Sequence, residues 1–278
     1  KHLSADDETI AFYADAMKRL RISQQGLSDK NQIAMAQFDD QRLVESFVSL
    51  PPQLWDKAEA MAKAASAPRI TKKAQLLAQA AVAIEILMFA PIRLTNLQCL
   101  RLDEHISWQA ERMRINIPSQ QVKNDQALDF LLPVSVSKRI KTYIDKWRMH
   151  FTSGHNPHLF PGRNGKPKDG TCLRRQIEQT LWNEAGIRLT PHQFRHAAAK
   201  ILLDAKPGHY EVVRKVLGHK SLTTTYSHYA GAETQAAINL YDDVIIQHRQ
   251  RKAFDRGQNS RLPEPPFMDP LQLYGGKR

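Results

Sequence analysis

Between positions 103 and 133 the apolar residues of this chain recur at every second place, while on either side of that stretch they recur at helical spacing. Ile106 goes with Trp108, Met113 with Ile115 and Ile117, and Leu128 with Phe130 and Leu132. Side chains alternate faces along a strand, so each set makes one apolar face, and three such runs predict a small antiparallel sheet. The connection at 119–126 is polar and holds Asn124 and Asp125, which tolerate tight turns, so Lys123 falls at the tip of a hairpin. One such sheet inside an otherwise helical chain predicts a mostly α fold with a small antiparallel β-sheet.

The flanking segments supply the helices. Positions 41–50, 54–65 and 73–89 each carry helical spacing, the last alanine-rich and apolar enough for a buried core helix that Pro91 ends. Upstream, Ser4 and Asp7 read as a capped start, and Ile10, Tyr13, Met17 and Leu20 give positions 4–20 one amphipathic helix. The polar stretch 23–40, broken by Gly26 and Asp29, reads as a linker. After Ser135 helices resume, pause in a loop at 153–170 and continue to about 252; the Pro- and Gly-rich tail 256–278 reads as mobile. No internal repeat is visible.

Charge narrows the partners. Lys and Arg number 40 against 28 Asp and Glu, a net charge of +12, which makes a polyanion the first candidate. Cys99 and Cys172 lie far apart without CxxC spacing, arguing against a disulfide framework or a Cys-rich zinc site and fitting a reducing, cytosolic compartment. The longest apolar run, at 80–91, includes Glu85 and is too short to cross a bilayer. The start at Lys1 shows no signal-peptide pattern, and no initiator Met, as in a trimmed chain.

The richest stretch is Thr190-Pro191-His192-Gln193-Phe194-Arg195. Thr190 with Gln193 makes a capping box and Pro191 suits a first helical position, so a helix starts here with His192 and Arg195 on one face. Its free backbone N–H groups, its dipole and Arg195 together make a phosphate cradle. Downstream, Leu217-Gly218-His219 reads as a helix stop with Gly218 in the left-handed position; a further helix carries Tyr226 and Tyr229 and stops at Gly231. Taken singly, these residues fit an ordinary surface helix and two core tyrosines equally well.

As a set they resemble the tyrosine recombinases, the family of phage integrases and chromosome-dimer resolvases. HxxR appears as His192 and Arg195, the LGH box as Leu217, Gly218 and His219, and the closing segment His228-Tyr229-Ala230-Gly231 carries Tyr229. Arg93, in Arg93-Leu94-Thr95-Asn96-Leu97, resembles the family's first catalytic arginine, and Lys123 its catalytic lysine. The resemblance spans roughly positions 38–231. Where the family often has an acidic residue this chain has Asn96, and where it has a glycine this chain has Pro91-Ile92.

The resemblance implies a tyrosine recombinase catalytic-domain-like fold at 36–250, with 1–35 a remnant or linker of an upstream helical DNA-binding domain and 251–278 a flexible basic tail. It implies a site-specific recombinase that cleaves and rejoins double-stranded DNA through a 3′-phosphotyrosyl intermediate, with no cofactor, neither ATP nor metal. Arg93, Arg195 and His219 would hold the phosphate, His192 would move the tyrosine proton, and Lys123 would protonate the leaving 5′-oxygen. Tyr229, ten residues past His219, fits the family's nucleophile spacing, and a glycine stop beyond it leaves it in a frayed turn able to swing to phosphate. Tyr226 is expected to pack on Leu222 and the core. Self-association on DNA, dimer to tetramer, is expected through the helix at 236–248, with Ala237, Leu240, Tyr241, Val244 and Ile245 on its apolar face. The compartment is cytoplasmic, of bacterial or phage type, with no membrane association.

Three other readings compete. His192 and His196 have the spacing of a helical zinc pair, but Gln193 stands where a metallohydrolase needs a glutamate base. A recombinase-like accessory protein that binds DNA without chemistry would share the charge. A type IB topoisomerase would share the chemistry without exchanging partners.

Overall fold

The computed structural model describes residues 6, 8–13, 26–64, 71–152, 154–229 and 234–259. The chain divides into two compact units, Lys1–Glu233 and Thr234–Arg278. In the first, helices α1 (Asp29–Ala36), α2 (Gln41–Ala64), α3 (Lys72–Phe89) and α4 (Leu94–Gln98) precede strands β1 (Ile106–Gln109), β2 (Arg112–Ile117) and β3 (Leu128–Leu131). Helices α5 (Val134–Thr142), α6 (Gly170–Ala185), α7 (Gln193–Ala205), α8 (Tyr210–Leu217) and α9 (Leu222–Tyr229) follow. The second unit contains α10 (Thr234–Asn259).

The alanine-rich segment is the central helix. Ala78, Ala80, Ala81, Val82, Ala83, Ile84, Ile86 and Leu87 on α3 have no accessible surface, and small side chains let α2 and α6 approach it closely. Thr71 caps its start by accepting from Ala74 N–H at 3.3 Å. Positions 41–50 and 54–65 are one helix rather than two, running through Pro51 and Pro52. Proline removes donors and normally breaks a helix. Here Phe47, Leu50, Pro51, Leu54, Trp55 and Ala58 form one buried stripe across the prolines, and that burial outweighs the lost bonds.

The sheet is antiparallel in the order β1-β2-β3, with Ile106 opposite Ile115 and Ile115 opposite Phe130. Met113, Ile115, Ile117 and Leu128 face the core, whereas Trp108 is exposed beneath the Lys141 ammonium, 5.7 Å from its ring.

Of the segment expected to be a linker, residues 26–40 are described and are not one: α1 packs on α7 and is followed by the buried Phe38. Its apolar content is low, but Met35 and Phe38 sit at the spacing that buries one edge. Of the predicted helix at 4–20, residues 8–13 are helical, with Asp6 accepting from Thr9 N–H at 2.7 Å; Ser4, Asp7, Met17 and Leu20 lie outside the described residues, as does the tail beyond 259. The helix expected at 236–248 is part of α10. Among the described residues no helix is long and apolar enough to cross a membrane.

Candidate active site

Each motif is delivered by the end of an element. α3 stops one turn before Arg93, which takes extended backbone as the N-cap of α4 and stands half-buried. Its guanidinium donates to Asn124 Oδ1 at 3.3 Å. Asn124 in turn donates through Nδ2 to the Gly218 carbonyl, and Lys220 pairs with Asp125 at 3.2 Å, so two side-chain contacts bind the hairpin tip to the Gly218-His219-Lys220 segment. Lys123, immediately before these anchors, is exposed and close enough to add its charge to the field on His192. Asn96, in the place of the acidic residue, donates to the Gln121 carbonyl at 3.0 Å and steadies the same hairpin.

Gly218 has φ +61° and ends α8, returning His219 N–H to the Arg214 carbonyl at 3.0 Å as a left-handed cap requires. A Cβ there would also lie 2.5 Å from a Leu128 methyl, so glycine is demanded twice over.

Thr190 and Gln193 meet as predicted: Gln193 Oε1 accepts from Thr190 N–H at 2.9 Å, while the Thr190 hydroxyl donates to the same oxygen instead of capping the helix. His192 is exposed at the start of α7 and Arg195 is buried, 4% accessible. Arg195 donates to the Pro91 carbonyl and the Leu217 carbonyl, each at 2.6 Å. One guanidinium thus joins the turn before Arg93 to the turn before His219.

The result is a cluster of cations in which neither arginine has a carboxylate partner among the described residues. Burial, then the neighbouring Arg93, pulls Arg195 down to about 10, still fully charged near neutrality. Desolvation followed by the charges of Arg195 and neighbours lowers His192, and takes His219 to about 4, so His219 is neutral at pH 7. An anion placed among these groups would relieve their mutual repulsion.

The two tyrosines are placed opposite to expectation. Tyr229 is 2% accessible, packed with Leu203, Tyr210, Val213 and Leu217, and its hydroxyl lies 2.8 Å from His196 Nδ1. Burial raises its pKa, and Arg195 offsets this only in part. Tyr226 is the exposed one, 45% accessible, stacked on Tyr210 at 4.2 Å. In a helix of eight residues the buried positions are Thr225 and Tyr229, four apart on one stripe, and Tyr226 falls off it. His196 is buried, and its two ring nitrogens meet Tyr229 Oη and Asn31 Nδ2, leaving none for a metal paired with His192. Sequence reasoning missed Asn31, Asn124 and the His196–Tyr229 contact. Only the turn chemistry at Asn124 left a trace in the sequence.

The Phage integrase family model matches residues 56–236. A tyrosine recombinase of Agathobacter rectalis is 31% identical over 35% of this chain and 30% of its own length; Tyrosine recombinase XerC of Brucella suis biovar 1 is 35% identical over 30% and 26%. The chain thus matches less than a third of the length of either relative. A crystal structure of the XerH site-specific recombinase bound to a palindromic difH substrate, a post-cleavage complex, is 20% identical with a TM-score of 0.49, covering 79% of this chain and 54% of that one.

Proposed function

Because the chain belongs to the phage integrase family, we propose that it cleaves and rejoins double-stranded DNA as a site-specific tyrosine recombinase. The observation that carries this reading is the convergence of Arg93, Lys123, His192, Arg195 and His219 on one cluster whose two arginines have no carboxylate partner among the described residues, tied together by Asn124 and by the two carbonyl contacts of Arg195.

In this reading Arg93 and Arg195 fork their donors onto the non-bridging oxygens of a scissile phosphate, and His219 donates a third hydrogen bond. Such donors are fixed beforehand and gain strength as charge builds in the transition state, each contributing about 3 kcal/mol or a factor of roughly 10² to 10³. The Tyr229 oxygen bonds to phosphorus while the bond to the 5′-oxygen breaks. The phenolic proton passes to His192, which is neutral when its pKa is lowered, and the Lys123 ammonium protonates the departing 5′-oxygen. The phosphotyrosyl linkage keeps the bond energy, and the reverse steps rejoin a strand. Tyr229 is covered in the conformation described, so attack requires α9 to move.

The working assembly on DNA is a dimer or tetramer, for which the exposed Leu240, Tyr241 and Val244 of α10 offer apolar contact, and the protein acts in the cytoplasm. The covered Tyr229 equally supports a relative that binds DNA without chemistry. One assay separates the two: a nicked suicide duplex carrying the sequence flanking the gene should trap a covalent adduct, insensitive to chelator and absent in Tyr229→Phe. Duplex binding without any adduct would favour the accessory protein.

A further inference from the structure

A chain of hydrogen bonds leads to Tyr229, and its direction can be followed from one end. Thr190 N–H is a backbone donor and cannot accept, so the Gln193 atom 2.9 Å away is the carbonyl oxygen Oε1. The far side of Gln193 is then its amide nitrogen, which donates to Asn31 Oδ1 at 3.1 Å. That orients Asn31 in turn, with Nδ2 facing His196 Nε2 at 3.3 Å. An imidazole accepting at Nε2 carries its proton on Nδ1 when neutral. Burial, followed by the neighbouring His192, His228, Arg195 and His219, draws the His196 pKa down to about 4 and keeps the ring neutral near pH 7. Nδ1–H therefore donates to Tyr229 Oη at 2.8 Å.

We infer that His196 and Asn31 are positioning residues for Tyr229: the polarity imposed by the Thr190 amide makes His196 present N–H to the phenol oxygen and holds the hydroxyl in its covered place. Two further contacts from the same upstream segment act on α9. Gly26 N–H donates to the Ser227 carbonyl at 2.5 Å, and Leu27 packs on the cluster around Tyr229. The nucleophile is thus tied to residues outside the HxxR and LGH motifs. With Nδ1 already protonated, His196 cannot take the phenolic proton, which leaves that task to His192. A donor on the phenol oxygen also favours phenolate over phenol, so the contact that stores the hydroxyl does not oppose its ionisation. The inference rests on Tyr229 being the nucleophile only for its consequence, not for the hydrogen bonds.

Nitrogen-15 NMR of the histidine rings tests it directly. In the wild-type chain His196 should show the Nδ1–H tautomer. Gln193→Glu keeps the shape but offers only acceptors, so Asn31 must turn its amide nitrogen to Glu and its oxygen to His196, and the proton should move to Nε2. Chelator is kept present, because this change completes an H-E-x-x-H spacing. An Nε2–H tautomer in wild type, or no change in Gln193→Glu, would overturn the inference. Independently, Asn31→Leu should raise iodination of Tyr229, mapped by mass spectrometry, at least tenfold, while the fully buried Tyr143 stays protected and so reports an intact fold. Protection of Tyr229 equal to wild type would also overturn it. If Asn31→Leu fails to fold, Tyr143 becomes labelled too, and the Gln193→Glu tautomer decides. A suicide-substrate adduct mapped to another tyrosine would end the nucleophile assignment while leaving the tautomer result standing.

Discussion

Replacing Arg195 by lysine should cost both activity and stability, and the structure separates the two. The guanidinium holds the Pro91 and Leu217 carbonyls at 2.6 Å each while 96% of the residue is out of solvent, its accessibility being 4%. A lysine ammonium is a point charge and can satisfy one of these carbonyls at best. The other is left buried without a donor, at about 1–3 kcal/mol. For a domain of this size each kcal/mol lowers Tm by about 2–4 °C, so Arg195→Lys should melt roughly 5 °C below wild type. Loss of the bidentate clamp should slow adduct formation by a factor of about 10² to 10³, with duplex affinity largely kept because the charge is unchanged. Arg93→Lys is the control: Arg93 is half-buried and makes one side-chain contact, at 3.3 Å to Asn124, so its loss of activity should be similar with Tm within about 2 °C of wild type. Scanning calorimetry and single-turnover adduct formation measure the pair. Equal melting points for wild type and Arg195→Lys would refute the bridging role, and activity within about tenfold would refute the clamp.

Tyr229→Phe should abolish the adduct yet retain the fold and duplex binding, and a nucleotide mapped to Tyr226 would refute the assignment. Gly218→Ala should destabilise by at least about 1 kcal/mol for the left-handed backbone, and more for the collision with Leu128, as read by urea unfolding; an unchanged midpoint would show that the turn adapts. His196 is held near 4 in the fold against 6.5 when free; its folded value is depressed, so the unfolded chain binds the extra proton between those limits and stability falls as pH drops from about 6.5 to 4. Its share of the loss between pH 7 and pH 5 should be about 2 kcal/mol, and His196→Gln should flatten that slope; parallel slopes would contradict a buried neutral ring. With a net charge of +12, duplex affinity should fall steeply with salt in filter binding, and a salt-independent constant would count against a phosphate-dominated interface.

What could be read from the sequence was local. The strand period at 103–133 predicted the sheet and put Lys123 at an exposed hairpin tip, because alternation and turn chemistry act over a few residues. The same holds for Gly218, whose left-handed φ of +61° follows from a helix-stop pattern. Where tertiary burial outvoted local preference, local reading failed. Positions 41–50 and 54–65 read as two helices and are instead one, carried through Pro51 and Pro52 by the buried stripe from Phe47 to Ala58. Gly26 and Asp29 read as linker breakers, yet the next turns bury Met35 and pack α1 on α7.

The misplacement of the two tyrosines follows from the same limit and bears on the chemistry. Three residues apart on one short helix, Tyr226 and Tyr229 point in directions only about 60° apart. Motif spacing can choose between them as nucleophiles without saying which one faces inward. That depends on what stands opposite α9, and the answer lies in Leu203 and Val213 of neighbouring helices and in Leu27 far upstream. Facing inward, Tyr229 gains burial and a hydrogen bond to His196 but loses access to phosphate; facing outward, it would leave a cavity among Leu203, Val213 and Leu217 and an unpaired His196 nitrogen, costs of a few kcal/mol. In the proposed mechanism the nucleophile is therefore covered at rest, and cleavage would begin with contacts that repay those costs, which a phosphate held by Arg93, Arg195 and His219 would supply.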